Sequence, residues 1–193
     1  MKRLFLSVFM LLVAFATFAQ SRPKLIVGIV VDQMRWDYLH RYYNLYCEGG
    51  FKRLMNEGFD CENTMINYIP AITAVGHTSI YTGAVPSIHG IQANNFLLNG
   101  KMTYCTADST VSGVGTDSKA GQMSPRNMLT TTIGDELKVA TNFKSRVFGV
   151  SIKDRAAILP AGHAADAAYW IDSKQSKFIT STYYMKQLPA WVE

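Results

Sequence analysis

One stretch, residues 24–31, constrains the fold more than any other. After Lys24 it is an unbroken series of apolar, mostly β-branched side chains around one glycine. Such a run is typical of a strand buried on both faces of a parallel sheet. The run ends abruptly at Asp32. Open α/β sheets bind ligands at the carboxyl ends of their strands, so Asp32 is a candidate binding or catalytic group, with a loop-starting cap as the alternative.

The rest of the chain alternates between predicted helices and strands. We expect helices over residues 37–46, 50–57, 74–81 and 126–140, the last with Pro125 at its first turn and Ser124 as its cap. Further strands are expected over residues 59–69 and 146–152. One hairpin is predicted over residues 96–104, about Asn99-Gly100, and another joins 167–171 to 177–180. Residues 107–122 are expected to be an exposed loop. This order predicts an α/β fold with a mostly parallel central sheet, flanking helices and inserted hairpins.

Composition excludes some classes of function. The chain has 193 residues, of which 48% are hydrophobic and 17% charged, which is typical of one globular domain with a sizeable core. The formal net charge is +5, but no basic run is present, so nucleic-acid binding has little support. A mildly basic surface suits anionic substrates.

The first residues are typical of a secretory signal. Lys2 and Arg3 precede an apolar stretch over residues 4–15, and small residues favour cleavage before Gln20. A membrane anchor is the alternative, but the stretch is short for a span. We therefore expect a signal peptide over residues 1–19 and an exported protein, periplasmic or secreted, with no membrane attachment after cleavage. Residues 20–193 end without a closing element, so they are expected to be the N-terminal portion of a catalytic domain, incomplete at the C-terminus.

Three cysteines, Cys47, Cys61 and Cys105, would meet an oxidising compartment after export. One disulfide and one free thiol are possible, and the pairing stays open. Their spacing matches no zinc motif.

Thr73 lies where a loop bounded by Pro70 enters a predicted helix. Threonine is a good N-cap, and the positive end of a helix also favours an alkoxide and a bound anion. A simple cap is the alternative. Asp32, Thr73 and the pair Lys153 and Arg155 each follow a predicted strand, and a carboxylate, a hydroxyl and two cations suit attack at phosphorus or sulfur. On an extended segment Lys153 and Arg155 would point the same way, whereas a solvated turn is the alternative.

Several motifs together resemble the alkaline phosphatase superfamily, near the nucleotide pyrophosphatase/phosphodiesterase branch. They are Val30-Val31-Asp32-Gln33-Met34-Arg35, Pro70-x-x-Thr73-x-x-Gly76-His77-Thr78-Ser79 and Ser87-Ile88-His89-Gly90 with Asn94. Two further runs, Met123-Ser124-Pro125-Arg126-Asn127 and Ser151-Ile152-Lys153-Asp154-Arg155-Ala156, resemble the secreted phosphate-irrepressible alkaline phosphatases of Bacteroidetes-type bacteria. The resemblance implies an alkaline phosphatase-like fold and a two-zinc phosphate monoesterase acting on small phosphorylated substrates.

The resemblance also implies a role for each matched residue. Thr73 is the nucleophile, bound to zinc and transiently phosphorylated. Asp32 is a ligand of the same zinc. Asn94, Lys153 and Arg155 bind the phosphoryl oxygens, and the two cations mark a monoesterase. Thr78 lies in the helix body and is not expected to react.

The match is partial. None of the four histidines, His40, His77, His89 and His163, occupies a ligand position of the family. The chain is therefore expected to hold half of one zinc site, with the remaining ligands absent, and to be inactive as this fragment. The alternatives are a phosphodiesterase or nucleotide pyrophosphatase and a non-catalytic exported fragment; a sulfatase motif is absent. Nothing in the sequence predicts the oligomeric state.

Overall fold

The computed structural model describes residues 23–192, so the expected signal peptide lies outside the described residues. By its internal contacts the chain divides into two units, the first ending at Met34 and the second beginning at Arg35. We describe each by itself. No helix of the described part is long and apolar enough to cross a bilayer.

In the first unit, the strand predicted over residues 24–31 is wrong. These residues are irregular, and Leu25 and Ile29 are 78% and 79% exposed. The composition favours a strand, but a strand exists only when its backbone is paired, and none of the strands within residues 23–192 pairs with this run.

The described helices of the second unit include the four predicted ones and two that were not predicted, Pro86–His89 and Asp154–Ala161. The helix predicted over residues 74–81 is longer than expected, and the other three predicted helices are shorter. The described helices are α1 (Tyr38–Arg41), α2 (Phe51–Glu57), α3 (Thr73–Thr82), α4 (Pro86–His89), α5 (Ile133–Ala140) and α6 (Asp154–Ala161). Two 3₁₀ turns, Tyr43–Leu45 and Lys119–Gly121, complete the set within the described residues. α3 ends at Gly83, whose φ of 65° is the left-handed conformation that glycine adopts at helix ends.

The strands form two sheets. They are β1 (Asn95–Leu98), β2 (Lys101–Tyr104), β3 (Gly113–Val114), β4 (Phe148–Val150), β5 (Ala167–Asp172) and β6 (Lys177–Ser181). β1 and β2 are a separate hairpin, and the other four are ordered β3-β6-β5-β4. Only β4 and β5 are parallel among the described pairs, with Gly149 opposite Ala168. The α/β class is confirmed, with a mixed sheet in this part of the chain.

Both predicted hairpins are confirmed. β1 and β2 are joined by Asn99 and Gly100, whose φ values of 51° and 76° are those of a turn that matches the twist of a hairpin. β5 and β6 are antiparallel, with Asp172 opposite Lys177.

Three predictions between these elements are wrong. Residues 59–69 are irregular rather than a strand, with Phe59 92% exposed and no ladder partner among the described strands. The helix predicted from residue 126 begins at Ile133, because Thr132 and Asp135 form a reciprocal capping box there. The loop over residues 107–122 is partly buried, since it contains β3 and a 3₁₀ turn.

Ser124 caps no helix but joins a buried network. Its hydroxyl donates to Asp108 Oδ2 at 2.6 Å, and Arg126 Nη1 donates to Asp108 Oδ1 at 2.8 Å. Asp108 is only 5% exposed, and burial alone would raise its pKa. These two hydrogen bonds and one from Thr110 outweigh burial and lower the pKa of Asp108. Residues 124–126 are therefore held to the preceding loop.

Two clusters of buried side chains anchor the helices. The first core cluster contains Ala74 of α3, Leu159 of α6, Phe96 of β1, Ile91, Cys105 and Met128. The second core cluster lies between α6 and the sheet and contains Ala157, Ile158, Ala161, Ala168, Trp170 and Ile179. Because α6 contributes to both, it links α3 to the sheet.

All three cysteines are free thiols. Cys47 and Cys61 are exposed, whereas burial raises the pKa of the Cys105 thiol to about 12. Cys105 therefore stays protonated and acts as a small apolar residue in the first core cluster.

Candidate active site

The helix α3 begins at Thr73, and the residue at the N-cap position is Ile72, in extended conformation. The prediction that Thr73 is the N-cap is therefore wrong by one residue. Ile72 has no side chain that can accept from the first turn, and Asn94 supplies the acceptor instead: its Oδ1 accepts from the Ala74 N–H at 3.0 Å. A residue 20 positions along the chain thus satisfies a helix N–H that would otherwise lack a partner.

This contact fixes the orientation of the Asn94 amide. Because Oδ1 accepts from Ala74, the Nδ2 group is the other end of the same amide, with two N–H donors. The hydrogen bonds of the described residues include none donated by Nδ2. Asn94 is half-buried, so these donors remain accessible beside the first turn of α3.

Two polar side chains further along α3 form hydrogen bonds with backbone carbonyl oxygens of the same helix. The Thr78 hydroxyl is fully buried and donates to the Ala74 carbonyl oxygen at 2.7 Å. His77 Nδ1 donates to the Thr73 carbonyl oxygen at 2.8 Å, since a carbonyl only accepts. Thr78 is consequently not presented to a substrate.

Ser79 and His89 lie in hydrogen-bond contact but are not a nucleophile and base. The backbone N–H of Ile91 donates to His89 Nδ1 at 3.1 Å, so in the neutral imidazole Nε2 carries the proton. Nε2 then donates to Ser79 Oγ, 3.0 Å away, and has no lone pair to accept the serine proton. Burial lowers the pKa of His89, which favours this neutral form.

The cations Lys153 and Arg155 lie at the start of α6. Lys153 is the extended N-cap residue, and Arg155 is the second residue of the helix. The prediction of an extended Lys-x-Arg segment is therefore wrong, because α6 begins between the two. Lys153 is exposed, and Arg155 Nη1 donates to the Tyr104 hydroxyl at 2.9 Å.

Sequence reasoning missed the neighbours of Arg155. The Tyr104 hydroxyl donates to Asp154 Oδ1 at 3.0 Å, and the Thr106 hydroxyl donates to Asp154 Oδ2. One signal in the sequence could have indicated these neighbours. Asp154 lies between two cations, and a partly buried carboxylate needs hydrogen-bond donors. A cleft of about 250 Å³ opens here, lined by Tyr104, Lys153, Asp154 and Trp170 among others.

The helices α3 and α6, which contain Thr73 and Arg155, pack on the same core cluster. α3 and α6 pack against each other, with Ala74 and Leu159 in the first core cluster. The Tyr104 ring packs against that cluster too. Thr73 and Arg155 therefore lie on two helices that pack on one core, and Asn94 and Lys153 directly precede β1 and α6.

Asp32 belongs to the first unit, where it is exposed. The other four predicted site residues belong to the second unit.

The residues described here do not by themselves fit a zinc site. Within residues 23–192 no group of three or more His, Cys, Asp or Glu side chains is placed to hold a metal ion. Zinc in proteins takes four ligands, whereas only Asp32 and Thr73 were predicted to supply any.

Comparison with known proteins gives a consistent family assignment. The model of the family described as type I phosphodiesterase / nucleotide pyrophosphatase matches residues 26–191. A protein named calcium-transporting ATPase from Myroides odoratus is 61% identical over 90% of the chain. Alkaline phosphatase PafA from Elizabethkingia meningoseptica is 60% identical over 91% of the chain.

Comparison with solved structures finds the same kind of relative as comparison of sequences. The crystal structure of alkaline phosphatase PafA superimposes with a TM-score of 0.88 at 60% identity, covering 90% of this chain and 34% of that one. A variant of the same enzyme, with a threonine changed to serine and an asparagine, a lysine and an arginine changed to alanine, gives a TM-score of 0.87 over 34% of its length. The chain spans about a third of the length of the relatives it matches.

Proposed function

Because the chain belongs to the type I phosphodiesterase / nucleotide pyrophosphatase family, we propose that it carries the nucleophile and the phosphate-binding residues of a phosphate monoester hydrolase. The observation that carries the proposal is the start of α3, where Thr73 is the first helical residue and Asn94 is fixed beside it through Ala74. A helix N-terminus with adjacent amide donors favours a phosphate group.

The proposed chemistry has two displacements at phosphorus. Thr73 Oγ1 forms a bond to phosphorus while the bond to the ester oxygen breaks, and the proton lost by Thr73 is balanced by the proton that the leaving alcohol takes up. Water then attacks the phosphothreonine, the bond to Thr73 breaks, and inorganic phosphate is released. In both steps the Asn94 amide and the Lys153 and Arg155 cations stabilise the negative charge on the non-bridging oxygens.

One of the solved structures supports the choice of these four residues. The alkaline phosphatase variant replaces a threonine, an asparagine, a lysine and an arginine, with the lysine two positions before the arginine. Thr73, Asn94, Lys153 and Arg155 are the same residue types in the same order, with the same spacing within each pair.

The cation pair favours monoesters over diesters as substrates. A terminal phosphate carries two negative charges and a diester one, so two cations stabilise the monoester more. A second candidate activity is phosphodiester or pyrophosphate hydrolysis, which the description of the matching family favours.

Zinc and export complete the proposal. We expect Zn²⁺ to be the cofactor, with Asp32 and Thr73 among its ligands, and small phosphorylated molecules to be the substrates. A signal peptide over residues 1–19 would direct the protein to the periplasm or the medium. Zinc titration by calorimetry tests whether the chain alone binds the metal; absence of binding would favour a non-catalytic fragment.

The nucleophile is tested by trapping the intermediate. We would assay p-nitrophenyl phosphate hydrolysis by the chain and by a chimera in which residues 26–191 replace the matching part of alkaline phosphatase PafA. Acid quenching and peptide mass spectrometry should find phosphate on Thr73, and Thr73→Ala should abolish both turnover and trapping.

The matched control is Thr82→Ala, at the opposite end of α3, where the hydroxyl donates to the Thr78 carbonyl oxygen. It should retain turnover. Full activity in Thr73→Ala, or phosphate trapped on another residue, would refute the assignment.

A further inference from the structure

The phenol of Tyr104 has both of its hydrogen-bonding functions engaged at the start of α6. Its hydroxyl accepts from Arg155 Nη1 at 2.9 Å and donates to Asp154 Oδ1 at 3.0 Å. Its ring packs against the first core cluster, which also contains Leu159 of α6. Packing of the ring against the core therefore fixes the position of the hydroxyl.

Each oxygen of the Asp154 carboxylate accepts a hydrogen bond from a hydroxyl group. Tyr104 donates to one oxygen and the buried Thr106 to the other. Asp154 lies between two cations in the sequence, yet within the described residues neither Lys153 nor Arg155 forms an ion pair with it. Two neutral donors thus satisfy an anion that would otherwise compete for the neighbouring cations.

The guanidinium of Arg155 is consequently oriented by a neutral hydroxyl, and within the described residues it forms no ion pair with Asp154. A guanidinium has five N–H donors, and the contact with Tyr104 uses Nη1. Nε is buried and has no hydrogen-bond partner in the described part of the chain. A neutral acceptor orients the group through one of its donors and leaves the other donors for an anionic ligand.

Resting on the proposed function, we propose that Tyr104 is a positioning residue for Arg155: its hydroxyl aims the guanidinium at the phosphoryl group and, together with Thr106, keeps Asp154 from pairing with that cation. Burial and the nearby Asp154 charge raise the pKa of the Tyr104 phenol, so it stays protonated in alkaline solution. In alkaline solution the Tyr104 hydroxyl can therefore still accept from Arg155 and donate to Asp154.

The test is a double-mutant cycle in the chimera with p-nitrophenyl phosphate. Tyr104→Phe should lower kcat/KM by about tenfold, the loss expected when one hydrogen bond to a charged group is removed. In an Arg155→Ala background the same change should have no further effect, because the residue it positions is absent. Inorganic phosphate should inhibit Tyr104→Phe more weakly, and bis(p-nitrophenyl) phosphate hydrolysis should change less.

Tyr184→Phe is the matched control, since the Tyr184 hydroxyl is buried and has no partner in the described residues. It should retain kcat/KM. If Tyr104→Phe does not fold, judged by its thermal midpoint, Thr106→Val provides the second variant, because it frees one Asp154 oxygen and should show the same non-additivity with Arg155→Ala.

The outcomes separate the inference from the proposed function. Unchanged kcat/KM in Tyr104→Phe, or losses that multiply with those of Arg155→Ala, would overturn the positioning role while leaving Arg155 as a phosphate ligand. Unchanged kcat/KM in Arg155→Ala itself would overturn the proposed role of Arg155 and the inference with it.

Discussion

Replacing Gly149 by alanine should separate α6 from the sheet and disturb the cations at its start. Gly149 lies in the middle of β4, directly beneath α6. A Cβ there would fall well inside van der Waals contact with the Ala157 carbonyl oxygen and would lie 2.9 Å from the Ala161 Cβ. Because the closest group is helix backbone, no side-chain rotation can relieve the overlap.

The size of the effect follows from these distances. Ordinary contacts of a Cβ begin at 3.4 Å, so α6 must move away from β4 by roughly 1 Å. Overpacking of this kind costs about 1–3 kcal/mol in the free energy of unfolding. A displacement of about 1 Å in a positioning element can also cost about 100-fold in rate.

The effect on stability is measured by urea unfolding of the chain, followed by circular dichroism. The effect on rate is measured by p-nitrophenyl phosphate turnover of the chimera. The matched control is Gly76→Ala in α3, where a Cβ meets nothing within 4 Å. It should stabilise the chain by about 0.5–1 kcal/mol, because alanine loses less backbone entropy in a helix. Equal urea midpoints for Gly149→Ala and wild type would refute the packing argument.

Two further predictions concern charge. Replacing both Lys153 and Arg155 by alanine should lower monoester turnover more than diester turnover in the chimera; an unchanged ratio of the two rates would remove the argument for monoesters. Hydrogen bonds from Thr116 and Ser118 lower the pKa of Asp172 to about 2, so its contribution to stability is complete above about pH 4 and is lost as the pH falls towards 2. Acid unfolding followed by circular dichroism should therefore show a smaller loss over this window in Asp172→Asn, and superimposable profiles would contradict the assignment.

Local signals predicted the elements that local chemistry determines. Asn99-Gly100 specifies its hairpin through two positive φ values, and Gly83 ends α3 for a similar reason. Thr73 could be placed at the start of α3 because a proline-bounded loop precedes a helical run. Features determined by residues close together in the sequence could therefore be predicted from the sequence.

Most predictions failed where distant residues decide the structure, although the start of α5 was missed despite a local signal, the capping box of Thr132 and Asp135. Asn94 supplies the acceptor for α3, so the sequence around Thr73 alone indicated the wrong cap. Residues 24–31 have the composition of a strand, but pairing needs a partner that composition does not specify. Tyr104 and Thr106 meet Asp154 across about 50 residues, a contact that no local pattern indicates.

The first core cluster has a consequence for how proteins of this kind diverge. Ala74 lies directly after the proposed nucleophile, and Leu159 lies one turn beyond Arg155, yet both are side chains of one apolar cluster. Exchanging Met128 or Phe96 for residues of different volume should shift the two helices relative to each other without altering any of the four proposed site residues of the second unit. Under the proposed function, related proteins would acquire different turnover rates through changes in interior packing while these four residues stay identical.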